Sequence, residues 1–338
     1  MRRFGDGGAS LADVGESTLL ELLVGIAGGP GGAARGGDGD DAYAWASPGG
    51  VDLATSIDVL VEDVDFRRDW ITPEQLGRRA FAVAASDMAG SGADPLWCVA
   101  TLCARPEEQL EDVLALQRGL CEAAAEAGCR VAGGDVSATS GPLTVDVCVT
   151  GTLPAGSALR RSAGSIGDLL LLTGTVGRAA AGLRLLRDEA SLGSTAERAW
   201  VAAQLEPSAR LLEGRALLAA GVACGGDVSD GLLIDAARTA RASGCGADIW
   251  VDALPVDAEL RGRFDREWLQ FAVGGGEDFE LLAAVDPLQA PALVSSWPGD
   301  CAPLHVVGEL RAGDGVRLLE GRGGAEVEAP RPSARHFA

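Results

Sequence analysis

Short acidic segments flanked by glycine recur along this chain, and they constrain its fold more than any other feature. Gly133–Ser137 and Gly225–Ser229 share the sequence Gly-Gly-Asp-Val-Ser, and Gly36–Asp41 places three aspartates among three glycines. Neighbouring carboxylates make one another harder to ionise, so such segments need open water or a cation. Glycine lets the backbone approach a ligand, and oxygen-bearing side chains suit Mg²⁺. We therefore expect a fold that gathers scattered aspartates around metal-bound phosphates.

The overall composition limits the class of partner. The chain has 338 residues, of which 47% are hydrophobic, and its formal net charge is -21. This length and apolar content predict a sizeable core and two domains rather than one. The negative charge argues against nucleic acid and anionic membranes, because both are polyanions. No stretch of the sequence has the roughly 20 uninterrupted apolar residues of a membrane span.

Several residue types are missing or sparse. The sequence has no lysine, so all 28 basic residues are arginines, and a Walker-type phosphate loop and a Schiff-base lysine are excluded. Neither His305 nor His336 has a second histidine nearby, which disfavours zinc sites and Ser-His-Asp catalysis. The eight cysteines form no C-x-x-C pair, so we expect reduced thiols in a cytoplasmic protein.

The apolar pattern of the first half predicts alternating strands and helices. Val51–Ile57 is predicted to be a strand that ends at Asp58. Thr72 is predicted to cap a helix that continues to Ala89, with Gln75 placed to bond back to it in a capping box. This helix carries Asp87 within an apolar run. A buried aspartate is unfavourable unless it binds a metal or makes interior hydrogen bonds, and both interpretations stay open. Further predictions are a helix from Arg105–Pro106, a strand at Val131–Ala132 with Asp135 at its end, and a half-buried strand over Leu143–Val149.

A domain boundary is predicted near Leu153–Arg160, where proline and glycine interrupt the pattern. The order of strands and helices is typical of an α/β or α+β fold. The elements predicted for the second half are strands over Asp168–Thr173 and Phe279–Val285, a helix from Glu206–Pro207, and a strand over Val222–Cys224 that leads into the acidic segment and another helix.

Asp227, Ser229 and Asp230 are predicted at this strand-to-helix junction, where backbone N–H groups and the helix dipole favour a phosphate. Two acids would repel a bare phosphate, so a bridging Mg²⁺ is the preferred interpretation, although one acid could also cap the helix. Arg161 belongs either to a solvated turn or to a bidentate phosphate contact. Glu277 follows three glycines and could take a positively charged or hydrogen-bonding part of a substrate.

A set of short motifs follows one order along the chain: Gly39–Ala42, Ser56–Asp58 with Phe66, Ser86–Ala89, Gly92–Pro95, Gly133–Asp135, Arg161–Ser162, Asp227–Leu232 and Gly275–Asp278. The ordered set resembles the thiamine-monophosphate kinase family, which belongs to the superfamily of aminoimidazole ribonucleotide synthetase and selenophosphate synthetase. The resemblance covers the chain from about Gly15 to its end.

The resemblance implies a two-domain aminoimidazole ribonucleotide synthetase-like fold. Residues 1–14 would be a tail, residues 15–153 an α/β domain whose sheet pairs with a second subunit, and residues 154–338 an α+β domain. It also implies a homodimer that uses Mg²⁺ and ATP to phosphorylate thiamine monophosphate to thiamine diphosphate. A phosphate monoester is already an anionic nucleophile at neutral pH, so no strong general base is needed, and catalysis rests on alignment and charge neutralisation.

The resemblance carries roles to individual residues. Asp230 and Arg161 would serve catalysis, and Gly134, Asp135, Arg161 and Ser229 would contact ATP. Glu277 would contact the thiamine moiety. The implied metal ligands are Asp41, Asp58, Asp87, Asp135, Asp227 and Asp230, and the hydroxyl of Ser56 could add an oxygen.

Three positions depart from the family pattern. Asp65 occupies the position before Phe66 at which the family has histidine, and Ile57 occupies a position at which the family usually has threonine. The family also has an aromatic residue two positions before a C-terminal His-Phe pair, and this chain has Ala334 there. Asp65 and Ala334 fall on the acceptor side, and Asp65 could face a cationic thiazolium. Three hypotheses stay open: thiamine-phosphate kinase, an ATP-dependent enzyme of the superfamily with another acceptor, and a non-catalytic nucleotide- or metal-binding protein. The near-complete aspartate set disfavours the third, because uncompensated acids destabilise a fold.

Overall fold

The computed structural model describes residues 40–330 except Pro48, together with residues 11–14, 18–19, 22–23 and 26. Leu11–Val14 forms a short helix, α1. Ala334 and His336 lie outside the described residues, as does the first acidic segment before Asp40. In the described part of the chain, no helix is both long and apolar enough to cross a membrane.

A five-stranded sheet organises the first half of the described chain. The elements are β1 (Tyr43–Ala46), β2 (Val51–Val61), α2 (Pro73–Ser91), β3 (Asp94–Ala104), α3 (Leu110–Glu126), β4 (Arg130–Ala138) and β5 (Thr144–Pro154). The strands lie in the order β1-β2-β5-β3-β4, and all pairs are antiparallel except β3 with β4. Val145, Val147 and Val149 alternate along β5 and pack against α2 and α3, which confirms the predicted half-buried strand.

A seven-stranded sheet organises the second half of the described residues. The strands are β6 (Leu169–Thr173), β7 (Cys224–Val228), β8 (Gly246–Trp250), β9 (Glu280–Val285), β10 (Leu304–Arg311), β11 (Val316–Leu319) and β12 (Glu326–Val327). The helices are α4 (Arg178–Arg187), α5 (Thr195–Leu205), α6 (Leu211–Ala219), α7 (Leu232–Ala242), α8 (Ala258–Arg263), α9 (Trp268–Gly274) and α10 (Ala290–Ser295). The strand order is β12-β11-β8-β10-β6-β9-β7.

Both faces of this second sheet are covered. Leu170 and Leu282 pack in one cluster with residues of α7, whereas Leu171 and Leu281 pack in another with residues of α6 and α10. A strand that is buried on both faces carries a continuous apolar run instead of an alternating one. This explains why β6 and β9 were recognisable from the sequence as unbroken hydrophobic segments.

Helix α2 lies between the two sheets. The Thr72 hydroxyl accepts the Gln75 N–H (3.2 Å) and the Gln75 side chain accepts the Thr72 N–H (3.0 Å), which confirms the predicted capping box. Ala84 packs in the core of the first sheet, but Ala89, little more than one turn later, packs with Leu217 of α6. We call the boundary that α2 makes between the two sheets the domain seam.

Several predicted element boundaries are wrong. Because β2 keeps its ladder with β5 past Asp58, the strand continues to Val61. Residues before Leu110 form a turn, in which the Glu108 N–H donates to the Arg105 carbonyl, so α3 begins later than predicted. The sequence predicts a helix from Glu206, but Glu206 ends α5 and α6 begins only at Leu211. Asp135 and Gly225–Asp227 are predicted to follow strands, but they lie inside β4 and β7.

Candidate active site

Three aspartates from distant parts of the chain meet at the domain seam. Asp41 precedes β1, Asp87 lies on α2, and Asp227 lies in β7. Each offers a carboxylate oxygen, and these three oxygens lie within 4.8 Å of one another. We call these residues the aspartate cluster.

The backbone holds Asp41 close to Asp227. The Asp227 N–H donates to Asp41 Oδ2 over 2.8 Å. A Cβ at Gly90 would lie only 2.1 Å from the same oxygen and 2.9 Å from the Asp227 nitrogen. Glycine is therefore the residue that lets α2 approach both the carboxylate and strand β7. The cluster is assembled by close packing of backbones, not by long side chains.

Arg161 is the cation of this cluster. Its Nε donates to Asp41 Oδ1 (2.6 Å), and its Nη2 donates to the carbonyl and carboxylate oxygens of Asp227 (2.8 and 3.2 Å). Its Nη1 donates to the Asp235 carbonyl (3.3 Å) and the Thr239 hydroxyl (3.4 Å). Burial lowers the pKa of the guanidinium, but attraction to the surrounding carboxylates outweighs burial and raises it. The side chain is 3% exposed, so the solvated-turn interpretation is wrong; the predicted ATP contact stays a prediction.

Ser56 and Asp58 extend the aspartate cluster along β2. The Ser56 hydroxyl donates to the Asp87 carboxylate, and the carboxyl group of Asp58 lies beside that of Asp87. Burial raises the pKa of Asp58 to about 6, and burial followed by the charges of Asp227 and Asp58 raises the pKa of Asp87 well above its usual value.

Ser229 and Asp230 lie between β7 and α7, beside the cluster. The Ser229 hydroxyl donates to Asp227 Oδ1 (3.3 Å). The Asp230 carboxylate is 2.5 Å from Arg238 Nη1, and the Asp230 N–H donates to Asp235 Oδ2 over 3.0 Å. With 29% of its side chain exposed, Asp230 is accessible to a ligand.

Gly134 and Asp135 lie apart from the aspartate cluster, on edge strand β4. Register across the sheet places Asp135 in the same row as Val59, so it faces the side opposite to Asp58. A Cβ at Gly134 would lie 1.9 Å from the Ala100 carbonyl oxygen, so strand packing alone requires glycine there. The predicted ATP and metal contacts of Gly134 and Asp135 stay predictions.

Glu277, which is predicted to contact the thiamine moiety, is held by two buried side chains. Arg79 donates to Glu277 Oε1 and Gln204 donates to Glu277 Oε2, and Arg79 also donates to the Gln204 carbonyl. The Asp65 carbonyl lies 3.5 Å from Arg79 Nη2, while the Asp65 carboxylate accepts the Val61 N–H over 2.8 Å. Asp65 and Glu277 therefore share one buried arginine. Ala334 lies outside the described residues.

The loop that carries Glu277 has a strained backbone. Glu277 and Phe279 have φ angles of 69° and 50°, in a region that side chains other than glycine rarely adopt. Between them, the half-buried Asp278 carboxyl accepts the N–H groups of Gly177 (2.7 Å) and Ala179 (3.1 Å) at the start of α4. Burial raises the pKa of Asp278 to about 7. Asp278 thus anchors the strained loop to α4.

The aspartate cluster suits a hard divalent cation. Its donors are all oxygens, and burial and then mutual repulsion raise the pKa of both Asp87 and Asp227. Arg161 supplies one positive charge to the cluster, so full ionisation of its acids is unfavourable until another cation joins. Mg²⁺ is commonly held by a few carboxylates together with the phosphates of a substrate. The residues present therefore fit Mg²⁺.

Sequence reasoning missed the residues that hold the predicted ligands in place. The Ser86 hydroxyl donates to Asp227 Oδ2 over 2.7 Å, and Asp235 accepts the Asp230 N–H. Ser86 adjoins Asp87, and Asp235 lies one turn beyond the acidic segment, so proximity to the motifs was the available signal. For Arg79 and Gln204 the sequence offers no such signal, because Glu277 is 198 and 73 residues away.

Comparison with known proteins first defines the class. The AIR synthase related protein N-terminal domain matches residues 39–153, and the corresponding C-terminal domain matches residues 165–320. Together with the two sheets and the aspartate cluster at their seam, these matches define an AIR synthase related protein.

Particular relatives narrow the class. The thiamine-monophosphate kinase of Salmonella typhimurium is 36% identical over 305 residues, which are 89% of this chain and 92% of that protein. The Bacillus subtilis enzyme of the same name is 32% identical over 272 residues, 80% of this chain and 82% of that protein. The solved structure of AaThiL complexed with AMPPCP and TMP has a TM-score of 0.84 at 27% identity, covering 98% of this chain and 99% of that one. The chain belongs to the thiamine-monophosphate kinase family.

Proposed function

We propose that this protein transfers the γ-phosphoryl group of ATP to thiamine monophosphate, giving thiamine diphosphate and ADP, and that it requires Mg²⁺. The aspartate cluster is the observation that carries the proposal, because it gathers three oxygen ligands where both domains meet. The relatives named thiamine-monophosphate kinase, and a similar structure that holds AMPPCP and TMP, support the choice of both substrates.

The residues of the cluster would divide the work as follows. Asp41, Asp87 and Asp227, with Asp58 and Asp230 beside them, would hold Mg²⁺, which neutralises phosphate charge when bound. The acceptor phosphate is already an anion near neutral pH, so the protein needs no strong general base. What the chain supplies is alignment of the two phosphates and a positive field around them.

The acceptor contacts are proposed for Asp65 and Glu277. Both lie beside Arg79, and Arg79 together with Gln204 occupies the two carboxylate oxygens of Glu277. This pairing fixes the carboxylate in one orientation, so the exposed part of Glu277 can accept a hydrogen bond from a substrate without rearranging.

We also propose a cytoplasmic homodimer with domains at residues 15–153 and 154–338 after a tail of residues 1–14. The face of the first sheet turned away from α2 exposes apolar side chains, including Ile57 (62%) and Val59 (51%). An exposed apolar sheet face is a typical interface between subunits. The free thiols of all eight cysteines support a reducing compartment.

The test is incubation of the purified protein with Mg²⁺ and ATP, with and without thiamine monophosphate, followed by mass detection of the products. We expect equal amounts of ADP and thiamine diphosphate from the wild type, and loss of both in Asp230→Ala. The matched control is Asp265→Ala, which removes an exposed acid of the second domain and should leave turnover unchanged. ADP formation that does not depend on thiamine monophosphate, or no turnover, would refute the proposed acceptor.

A further inference from the structure

Several features that cost stability meet at the carboxylate of Glu277. The backbone φ angle of Glu277 is 69°, in a region that residues other than glycine rarely adopt. Its two side-chain partners, Arg79 and Gln204, are 1% and 5% exposed. Within the described residues, neither Arg79 Nε nor Gln204 Oε1 has a hydrogen-bond partner, although both atoms are buried. Unfavourable features that gather around one side chain indicate a functional role for that side chain.

The amide of Gln204 is retained in spite of its unpaired oxygen. Its Nε2 donates to Glu277 Oε2, and the reverse orientation of the amide would place Oε1 against a carboxylate oxygen. An apolar side chain of similar length would fill the same space without burying an unpaired acceptor. Glutamine at this position is therefore explained by its contact with Glu277 and not by the stability of α5.

The backbone fixes Glu277 beside the end of β7. The Glu277 N–H donates to the Ser229 carbonyl (2.7 Å), and the Phe279 N–H donates to the Val228 carbonyl (3.0 Å). Asp227 of the aspartate cluster directly precedes Val228 in the chain. We therefore expect a molecule whose phosphate lies at the aspartate cluster to meet Glu277 with its other end.

Arg79 cancels the charge of Glu277. Its guanidinium donates to Glu277 Oε1, and Glu277 is the only acid with which Arg79 forms an ion pair in the described part of the chain. A cation beside Glu277 would also lie near this buried positive charge, so attraction and repulsion largely offset each other. Arg79 and Gln204 each use one lone pair of the carboxylate, and the remaining lone pairs can still accept. With 32% of its side chain exposed, Glu277 can accept a hydrogen bond from a ligand but offers little attraction to a cation.

The chemistry of the proposed acceptor matches this arrangement. Thiamine monophosphate has one amino group, on its pyrimidine ring, whereas its positively charged thiazolium nitrogen carries no hydrogen. Its phosphate is attached on the thiazolium side, so the aminopyrimidine is the end farther from the phosphate. The donor that Glu277 can accept and the distal position of Glu277 both correspond to this end.

We propose that Arg79 and Gln204 are positioning residues that set the Glu277 carboxylate to accept a hydrogen bond from the amino group of the acceptor's pyrimidine ring. The inference rests on thiamine monophosphate as the proposed acceptor. It assigns to Glu277 the recognition of an N–H donor and not of the thiazolium charge. Arg79 and Gln204 act on the acceptor only through Glu277.

The test compares the binding of three ligands by calorimetry in the presence of Mg²⁺ and AMPPCP. The ligands are thiamine monophosphate, oxythiamine monophosphate, in which oxygen replaces the amino group, and deazathiamine monophosphate, in which a neutral ring replaces the thiazolium. The proteins are the wild type, Gln204→Met, Arg79→Lys and the control Gln117→Met, which replaces an exposed glutamine of α3. We expect the wild type to bind thiamine monophosphate about 10- to 100-fold more tightly than oxythiamine monophosphate, the effect of a hydrogen bond to a charged group.

In Gln204→Met this preference should fall by about tenfold, through weaker binding of thiamine monophosphate alone. The preference over deazathiamine monophosphate should match that of the wild type. Arg79→Lys keeps the buried charge but loses the planar guanidinium contact, so it should show the same loss of preference. The melting temperature of Gln204→Met should not fall, because methionine removes the unpaired buried oxygen, and Gln117→Met should match the wild type in every measurement.

Equal weakening of all three ligands in Gln204→Met, or a lower melting temperature together with weaker binding, would show a merely structural role and overturn the inference. A loss of preference over deazathiamine monophosphate instead of oxythiamine monophosphate would show that Glu277 recognises the charge, and would also overturn it. Turnover is measured separately with ATP. A wild type that shows the expected preferences but forms no thiamine diphosphate would refute the proposed function and leave this inference standing.

Discussion

Replacing Arg161 by glutamine tests whether this arginine is part of the scaffold or a contact to the nucleotide. Its guanidinium is buried, with Asp41 at 2.6 Å, Asp227 at 3.2 Å and Asp235 at 3.8 Å. Removing one partner of a buried ion pair typically costs about 3–5 kcal/mol, because the remaining charge is left uncompensated. At about 2–4 °C per kcal/mol, the melting temperature should fall by about 6–20 °C.

The measurement is urea and thermal unfolding of the wild type, Arg161→Gln and the control Arg160→Gln, each with and without Mg²⁺. Arg160 is the adjacent arginine, and it makes no side-chain ion pair within the described residues. Because the variant leaves three acids without their guanidinium, Mg²⁺ should stabilise Arg161→Gln more than the wild type. A variant that melts within about 2 °C of the wild type and shows only a raised KM for ATP would refute this reasoning.

Three further predictions concern the surroundings of the cluster. Gly90→Ala should lower stability by about 1–3 kcal/mol in urea unfolding and weaken Mg²⁺-dependent AMPPCP binding, since its methyl group would overlap the Asp41 carboxylate; unchanged binding would contradict this. Glu277→Gln should raise the KM for thiamine monophosphate by about tenfold and leave the KM for ATP unchanged in steady-state assays, because only the acceptor side loses a charge-assisted hydrogen bond; equal changes in both would count against it. Asp278 has a pKa of about 7 in the folded protein against an ordinary 3.8, so the folded state retains a proton that the unfolded chain has lost between these values. Its contribution to stability is therefore greatest below pH 4 and falls as the pH rises to about 7. Urea unfolding should show the wild type losing stability relative to Asp278→Asn from pH 5 to 7.5. A difference in stability between the two proteins that stays constant over this pH range would contradict the assignment.

Local features were predictable from the sequence because their causes lie within a few residues. The capping box of Thr72 and Gln75 and the apolar strands β6 and β9 were found in this way. Helix starts were predicted less well where a proline suggested a helix but the chain first made a turn. Proline tolerates the first turn of a helix, but it is equally common in turns.

The candidate site was predictable in its residue types but not in its pairings. Asp41 and Asp227 were identified from glycine-rich acidic segments and Asp87 as an acid within an apolar helix, and the structure brings the three together. The pairing of Arg161 with Asp41 joins residues 120 apart, and only the packing of two sheets against α2 decides it. Asp135 shares the Gly-Gly-Asp-Val-Ser motif with Asp227, yet it does not join the cluster. The register of its sheet places Asp135 on the face opposite to Asp58.

The position of the aspartate cluster at the domain seam also has a consequence for protein synthesis. The ribosome delivers Asp41 and Asp87 long before Arg161, and Asp227 emerges later still. A nascent chain that ends before residue 227 carries the early acids without the backbone N–H that Asp41 accepts. The aspartate cluster is therefore completed late in translation, when β7 packs against α2.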